Sequence, residues 1–342
     1  MKTLVTGHNG YIGQVMVPLL QQAGHAVVGL DTYFFEDCQF DPEPSVESLR
    51  KDIRDLEPSD LEGFDAVVFL AALSNDALGD LDPELTYAIN RDATVGCARA
   101  AREAGVERFV FSSSCSLYGA SGDDVLTETA GMNPVTAYGR AKIEVEEALR
   151  DLASDSFSPT YMRNATAYGL SPSIRIDLVV NNLTGFAYTT GEVLMKSDGS
   201  PWRPLVHIED ISRAFLAVLE ADRDVVHDEA FNVGRSEENY RIREVAEIVG
   251  DVVPDCVLGF AEGASPDLRN YRVNFDKIAS ALPAYQPQWT VRKGVEELLD
   301  AYRRHGLTKD EFLSSKYLRI KTILEHRDGG RLDDRLRWTQ AR

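Results

Sequence analysis

Paired cysteines, positive charge and long apolar runs are all scarce in this chain of 342 residues. The four cysteines, Cys38, Cys97, Cys115 and Cys256, show neither C-x-x-C pairing nor the spacing of metal ligands. No apolar run approaches the length of a membrane span, and no basic, apolar leader opens the chain. We therefore expect a reduced, cytoplasmic protein that holds no metal and does not contact a membrane.

The balance of charge excludes another class of partner. Asp and Glu number 55 against 36 Lys and Arg, which leaves a net charge of −19 at pH 7. Such a chain repels the phosphates of nucleic acid, so we expect no nucleic-acid partner. A smaller anionic ligand can bind only where local arginines or backbone N–H groups offset this charge.

Alternating strand and helix patterns fill the first half of the chain. Short apolar, β-branched runs predict strands, and the longer stretches between them have the periodicity of helices. Such alternation predicts an α/β fold with a doubly wound parallel sheet of the Rossmann type, covered by helices on both faces. The predicted strands are 2–6, 26–31, 66–71, 108–113 and 159–163, and the predicted helices are 11–23, 84–104 and 134–153.

A glycine-rich loop joins the first strand to the first helix. It reads Gly7-His-Asn-Gly10-Tyr-Ile-Gly13, which suits a tight turn, a close approach of backbone to a pyrophosphate, and close packing of helix on strand. Asp31 ends the second strand, where its carboxylate can bind ribose hydroxyls and repel a 2′-phosphate. The pattern predicts an NAD site. Its predicted contacts are Gly7, Asn9, Gly10, Tyr11, Ile12, Gly13 and Asp31, while His8 is expected to face solvent.

Three regions follow from these patterns. Residues 1–165 are predicted to form the NAD-binding Rossmann domain, with returns from the later chain. Residues 166–304, with several Gly- and Pro-punctuated segments, would form a smaller C-terminal substrate-binding lobe interleaved with the main sheet. Residues 305–342 carry alternating charge and are expected to form a helical extension that acts as an amphipathic cap.

A candidate catalytic group lies in the third predicted helix and the strand before it. Tyr138 and Lys142 are four residues apart, so they share one face of a helix. An ammonium beside a phenol favours the phenolate, which can accept a proton from a hydroxyl. Ser114, at the end of the preceding strand, can hydrogen-bond the same oxygen. The three residues predict proton transfer beside a hydride carrier.

Together these motifs resemble the extended short-chain dehydrogenase/reductase family, and within it the NAD-dependent nucleotide-sugar epimerase and dehydratase group. The resemblance covers about residues 1–300, and it implies that Tyr138 is the general acid/base, that Lys142 holds the ribose, and that Ser114 fixes the reacting hydroxyl. The segments on which the resemblance rests are Thr6–Gly13, Asp52-Ile53, Leu70–Ala72, Asn90, Phe111–Ser114, Leu117–Gly119, Tyr138-x-x-x-Lys142, Arg163, Tyr168-Gly169, Arg203, Val206–Asp210 and Phe231–Gly234.

The resemblance also implies the remaining binding residues and the partners. The family's substrate is a nucleoside-diphosphate sugar held in the second lobe, and its members pair as homodimers through two long helices, here 84–104 and 134–153. Further cofactor contacts are expected at Asp52, Ile53, Leu70, Ala71, Ala72, Asn90, Ser112, Tyr138 and Lys142. Substrate contacts are expected at Ser114, Cys115, Ser116, Asn164, Thr166, Asn181, Asn182, Arg203 and Arg269.

The positions after Ser114 bear on the reaction. Dehydratases of the group carry an Asp-Glu pair there, whereas this chain has Cys115 and Ser116, which argues against elimination of water. An NAD-dependent epimerase that transiently oxidises a ring hydroxyl, at carbon 4, fits best. A 4-ketoreductase using NAD(P)H remains the alternative. Three other readings stay open behind these: a 3,5-epimerase using Cys115 or Ser116, a dehydratase, and a non-catalytic dinucleotide-binding protein.

Overall fold

The protein is described by a computed structural model covering residues 1–40, 46–74, 82–195, 197–260 and 269–340. Its centre is a seven-stranded sheet in which every neighbouring pair is parallel. The spatial order is β11-β7-β5-β4-β1-β2-β3. These strands are β1 (Lys2–Thr6), β2 (Ala26–Asp31), β3 (Ser48–Arg50), β4 (Ala66–Phe69), β5 (Arg108–Ser114), β7 (Ser158–Asn164) and β11 (Glu229–Val233).

The predicted Rossmann-type sheet is confirmed, with two strands that the sequence patterns did not indicate. β3 is short and mostly exposed at one edge, and β11 comes from far along the chain to pair with β7. The central strands are buried on both faces, which explains their nearly continuous apolar runs.

Helices cover both faces of this sheet. α1 (Gly13–Gln22) and α6 (Ile208–Glu220) pack together on one face. The other face is covered by α2 (Pro83–Tyr87), α3 (Ala93–Glu103) and α4 (Ala137–Arg150). The predicted helix 84–104 is therefore interrupted, because a π-helical turn at Ala88–Asp92 joins α2 to α3.

The second lobe packs around its own apolar cluster, which includes Leu183, Val245 and Leu298. Its helices are α5 (Val179–Thr190), α8 (Ile242–Val252) and α10 (Val291–His305), whereas α7 (Arg223–Val226) and α9 (Asp276–Ala281) pack against the edge of the main sheet. Its strands, together with β6 from the first half of the chain, form smaller sheets. These strands are β6 (Ala120–Leu126), β8 (Thr166–Tyr168), β9 (Glu192–Met195), β10 (Trp202–His207), β12 (Asn239–Arg241), β13 (Val257–Phe260) and β14 (Asn270–Val273).

The C-terminal extension returns to the first domain. It contains α11 (Lys309–Phe312) and α12 (Arg319–Asp328), followed by a tight turn closed by a bridge between Leu332 and Trp338. Leu332 and Leu336 are buried in the same apolar cluster as Phe69 of β4. Among the helices that the structure describes, none is long and apolar enough to cross a membrane.

Candidate active site

A cavity of about 780 Å³ opens at the carboxyl ends of the central strands, between the main sheet and the second lobe. This is the edge at which parallel α/β sheets bind their ligands. Most of the predicted contacts line it. They are Gly7, Gly10, Tyr11, Ile12, Gly13, Asp31, Asp52, Ile53, Leu70, Ala71, Ala72, Ser112, Ser114, Ser116, Tyr138, Lys142, Asn164, Thr166, Asn182, Arg203 and Arg269.

The glycine loop forms a cradle that has no room for side chains. Gly7 has a φ of 73°, and a Cβ on it would lie 2.9 Å from the backbone nitrogen of Ala71. A Cβ on Gly13 would lie 2.5 Å from the carbonyl oxygens of both Gly7 and His8. The loop therefore brings bare backbone to the cavity at the start of α1, where helix N–H groups attract anions.

Asp31 is held at the other side of this cradle. Its carboxylate accepts hydrogen bonds from the backbone nitrogens of Asn9, at 3.1 Å, and Tyr33, at 2.8 Å. Burial raises the pKa of this carboxyl. The expectation for His8 is wrong, because the imidazole is buried against Gly29 with Nε2 3.2 Å from the Tyr33 hydroxyl.

The three predicted catalytic residues all line the cavity. Ser114 ends β5, and its Oγ accepts from the backbone nitrogen of Ser116 at 3.1 Å and from the Ser116 hydroxyl at 2.9 Å. Tyr138 and Lys142 project from the first turns of α4, with the lysine Nζ 5.5 Å from the centre of the tyrosine ring. Lys142 also donates to the carbonyl oxygen of Ser112 at 2.6 Å.

Lys142 is buried, and burial lowers its pKa from 10.5 to about 7, opposed by the charge of Glu146. Glu146 lies one helical turn further along α4 and is itself buried. Its carboxylate accepts from the guanidinium of Arg163 at 2.6 Å and from the Ser113 hydroxyl at 2.5 Å. Sequence reasoning missed Glu146, although its spacing of four from Lys142 was the available signal.

Four predicted contacts lie outside the cavity lining. The Asn9 side chain accepts from Gln14, and the Asn90 amide bonds the backbone of Leu73 at 2.8 and 3.0 Å. Both polar atoms of the Asn181 amide are hydrogen-bonded within the protein. The oxygen accepts from the Gly169 backbone nitrogen, and the nitrogen donates to Tyr11, Gly169 and Arg175. The Cys115 thiol is fully buried and donates to the carbonyl oxygen of Arg163 at 3.1 Å.

This placement removes Cys115 from contact with a ligand in the cavity. Burial raises the pKa of its thiol strongly, which disfavours the thiolate. The residue packs as a small apolar side chain.

Three arginines that the sequence patterns did not single out also line the cavity, namely Arg54, Arg175 and Arg319. Arg175 donates to Ser74 and pairs with Asp177 at 2.6 Å. Arg319 comes from the C-terminal extension, which the charge pattern alone assigns to a cap. No local signal marks Arg175 or Arg319, because long loops and the tail bring them to the site. Among the described residues, no group of three or more acidic, His or Cys side chains could hold a metal.

Comparison with known proteins adds three findings. Residues 3–234 match the family described as the NAD dependent epimerase/dehydratase family. A UDP-glucose 4-epimerase from Corynebacterium glutamicum is 30% identical over 267 residues, which cover 74% of this chain and 80% of that protein. The structure of MoeE5 in complex with UDP-glucuronic acid and NAD superposes with a TM-score of 0.77 at 26% identity, covering 89% of this chain and 99% of that one.

The geometry of the cavity fits NAD. The glycine loop lines the cavity with backbone, and a Cβ at Gly7 or Gly13 would clash with other backbone atoms. Asp31 lines the same cavity, where it can accept from ribose hydroxyls and repel a 2′-phosphate. The buried Asn164 Oδ1 has no hydrogen-bond partner among the described residues and lines the same cavity, so it is available to a ligand donor. With a family match across 232 of its residues, this chain belongs to the NAD dependent epimerase/dehydratase family of enzymes, and its cofactor is NAD.

Proposed function

We propose that the protein epimerises a nucleoside-diphosphate sugar at carbon 4, by transient oxidation of the ring hydroxyl and reduction of the keto-sugar from its other face. The observation that carries this proposal is that Ser114, Tyr138 and Lys142 line one cavity, with no carboxylate at positions 115 and 116. NAD, when bound, supplies the group that accepts a hydride and returns it.

Residues of the chain transfer the proton and hold the sugar in position. The Tyr138 phenolate takes the proton of the reacting hydroxyl, and the resulting phenol returns that proton to the sugar oxygen after the keto-sugar has rotated. The Lys142 ammonium favours the phenolate electrostatically, since its nitrogen lies 5.5 Å from the ring centre. Ser114 holds the reacting oxygen by a hydrogen bond, which keeps the sugar hydroxyl positioned for proton transfer to Tyr138.

The other reactions have less support from this site. Elimination of water needs a second acid and base, and Cys115 and Ser116 supply no carboxylate. A 3,5-epimerase would need an acid/base at these positions, and only Ser116 lines the cavity. Asp31 favours NAD, which suits a cofactor that is recycled within one turnover, whereas a ketoreductase consumes reduced cofactor.

The substrate is proposed to be a UDP-sugar, because the relatives include UDP-glucose 4-epimerases and MoeE5 binds UDP-glucuronic acid and UDP-glucose. Arg203 and Arg269 line the lobe side of the cavity and are proposed to bind the diphosphate. We also propose that the protein forms a homodimer through α2 to α4, as the family resemblance implies. A cytoplasmic location is proposed because all four cysteines are free.

The test uses purified protein with UDP-glucose and UDP-glucuronic acid in deuterated water. Epimerisation by hydride return should give the 4-epimer without deuterium on any ring carbon, and without net consumption of NADH. Tyr138→Phe should abolish turnover with NAD still bound, while Tyr87→Phe, outside the cavity lining, should retain it. Deuterium at carbon 3 or 5, or stoichiometric oxidation of NADH, would overturn the proposal.

A further inference from the structure

The C-terminal extension supplies part of the cavity wall. Leu318, Arg319 and Ile320 line the cavity together with Asp31 and Phe35, at the end where the adenosine ribose is expected. These residues lie beyond residue 234, where the family match ends. The tail is therefore a component of this site that the family match does not cover.

Polar contacts fasten the tail to the loop that follows Asp31. The Trp338 indole Nε1 donates to the carbonyl oxygen of Thr32 at 2.7 Å. His326 Nε2 lies 3.0 Å from the carbonyl oxygen of Phe34. Because Thr32 and Phe34 both line the cavity, the tail holds the backbone that shapes this end of it.

A second set of polar contacts lies at the Asp52-Ile53 segment, where cofactor contacts are also expected. The Arg54 guanidinium pairs with Asp52 and donates to the carbonyl oxygens of Arg335, at 2.6 Å, and Leu336, at 3.0 Å. Asp52 and Arg54 line the cavity as well. Both sides of the expected adenosine pocket therefore form hydrogen bonds with the turn between Leu332 and Trp338.

Arg319 is the charged residue that the tail places in the cavity. Its side chain is buried, with the guanidinium carbon 3.9 Å from the centre of the Phe35 ring. Its Nη2 donates to the carbonyl oxygen and hydroxyl of Ser173, at 3.1 and 2.6 Å. Among the described residues, Ser173 alone accepts hydrogen bonds from this guanidinium, and no carboxylate forms an ion pair with it. Nε and Nη1 therefore remain for a ligand.

A buried cation without an ion pair raises the free energy of the empty protein. Burial, together with the neighbouring Arg175, lowers the pKa of Arg319 to about 10, so the side chain is still charged at neutral pH. An anion that enters the cavity relieves this penalty. The diphosphate of a dinucleotide is such an anion, and a planar guanidinium donates well to phosphate oxygens.

We propose that Arg319 binds the adenosine-diphosphate half of NAD, and that the tail from Leu318 to Trp338 closes this end of the site and retains the cofactor. The proposal does not depend on which reaction the enzyme catalyses, and its test measures binding. A failure here is therefore distinct from a failure of the proposed epimerase activity.

The test compares Arg319→Met with Arg327→Met in the full-length protein. Arg327 is on the same helix, pairs weakly with Asp328 at 3.9 Å, and does not line the cavity. Three quantities are measured: the NAD released from the purified protein, the affinity of the NAD-free protein for added NAD, and its affinity for UDP. Unfolding of the NAD-free variants in urea is followed in parallel.

Arg319→Met should bind NAD about 10- to 100-fold more weakly, the usual range for losing a hydrogen bond from a charged group. Its affinity for UDP should not change, and the NAD-free variant should be at least as stable as the unaltered protein. Arg327→Met should match the unaltered protein in every measurement. Trp338→Phe, which removes the Nε1–H donor but keeps an aromatic ring, should speed the dissociation of NAD.

Three results would overturn the proposal. Unchanged NAD affinity in Arg319→Met would remove Arg319 from the cofactor site. A loss of UDP affinity equal to or larger than the loss for NAD would assign the arginine to the substrate. A loss of stability without NAD that accounts for the weaker binding would make the residue structural. Weaker NAD binding without any loss of stability is the expected result, because a purely structural role of Arg319 would lower both.

Discussion

Replacing Lys142 with methionine should stabilise the NAD-free protein at pH 6 while it removes activity. The ammonium is buried, and its pKa falls from 10.5 to about 7 because burial disfavours the charged form. That difference corresponds to a penalty of about 5 kcal/mol at low pH. Methionine has a similar length and no charge, but it loses the 2.6 Å hydrogen bond to Ser112, worth about 1 kcal/mol.

The sign of the pH dependence follows from the protons that each state binds. Between about pH 7 and pH 10 the unfolded lysine is protonated and the folded lysine is not, so the unfolded state holds more protons and stability rises with pH. Below pH 7 the full penalty is present. The advantage of Lys142→Met should therefore be about 2–4 kcal/mol at pH 6, and it should vanish by pH 10.

The assay is urea unfolding of the NAD-free proteins at pH 6, 8 and 9.5, with Lys293→Met, an exposed lysine on α10, as control. The control should not differ from the unaltered protein at any pH. Turnover of Lys142→Met should fall by at least about 100-fold, the lower range for a group in acid/base catalysis. A variant that is less stable than the unaltered protein at pH 6, by the same amount as at pH 9.5, would refute the reasoning.

Three further substitutions test the residues around the candidate site. Glu146→Gln should lower the free energy of unfolding by about 3–5 kcal/mol in urea titrations, because it leaves the buried Arg163 without its ionic partner. The double variant with Arg163→Met should lose less stability than the sum of the losses in the two single variants. Gly13→Ala should purify without NAD, since its Cβ would clash with backbone, whereas Gly96→Ala on α3, with open space around it, should gain about 0.5–1 kcal/mol of stability. Cys115→Ala should keep more than about a tenth of the turnover measured by sugar conversion, and a loss of 100-fold or more would make the thiol an acid/base after all.

Local patterns explain what could be predicted. The glycine spacing, Asp31 and the Tyr138–Lys142 pair each depend on a few neighbouring residues of one strand–turn–helix unit. Their backbone geometry follows from short-range rules, and parallel strands then bring their carboxyl ends to one edge. For this reason the sequence could predict a set of NAD contacts, most of which line the cavity.

The errors have a common physical origin, because each concerns where a side chain points. Cys115 follows Ser114 directly, yet it turns into the core while Ser116 turns to the cavity. Asn181 and Asn182 are adjacent on α5, and only the second lines the cavity. His8, expected in solvent, fills the space left by the missing side chain of Gly29. Side-chain direction at these positions depends on packing against distant residues.

The sequence alone determined the α/β architecture and the use of NAD, and it predicted the glycine cradle and the candidate catalytic group, because local geometry and hydrophobic periodicity specify these features. Only the tertiary structure decided which residues complete the cavity. Arg175 and Arg319 are 144 positions apart in the chain, and they line one cavity because a loop of the second lobe and the C-terminal tail both fold over the same sheet edge. Contacts of this kind depend on long-range packing, which no local pattern encodes.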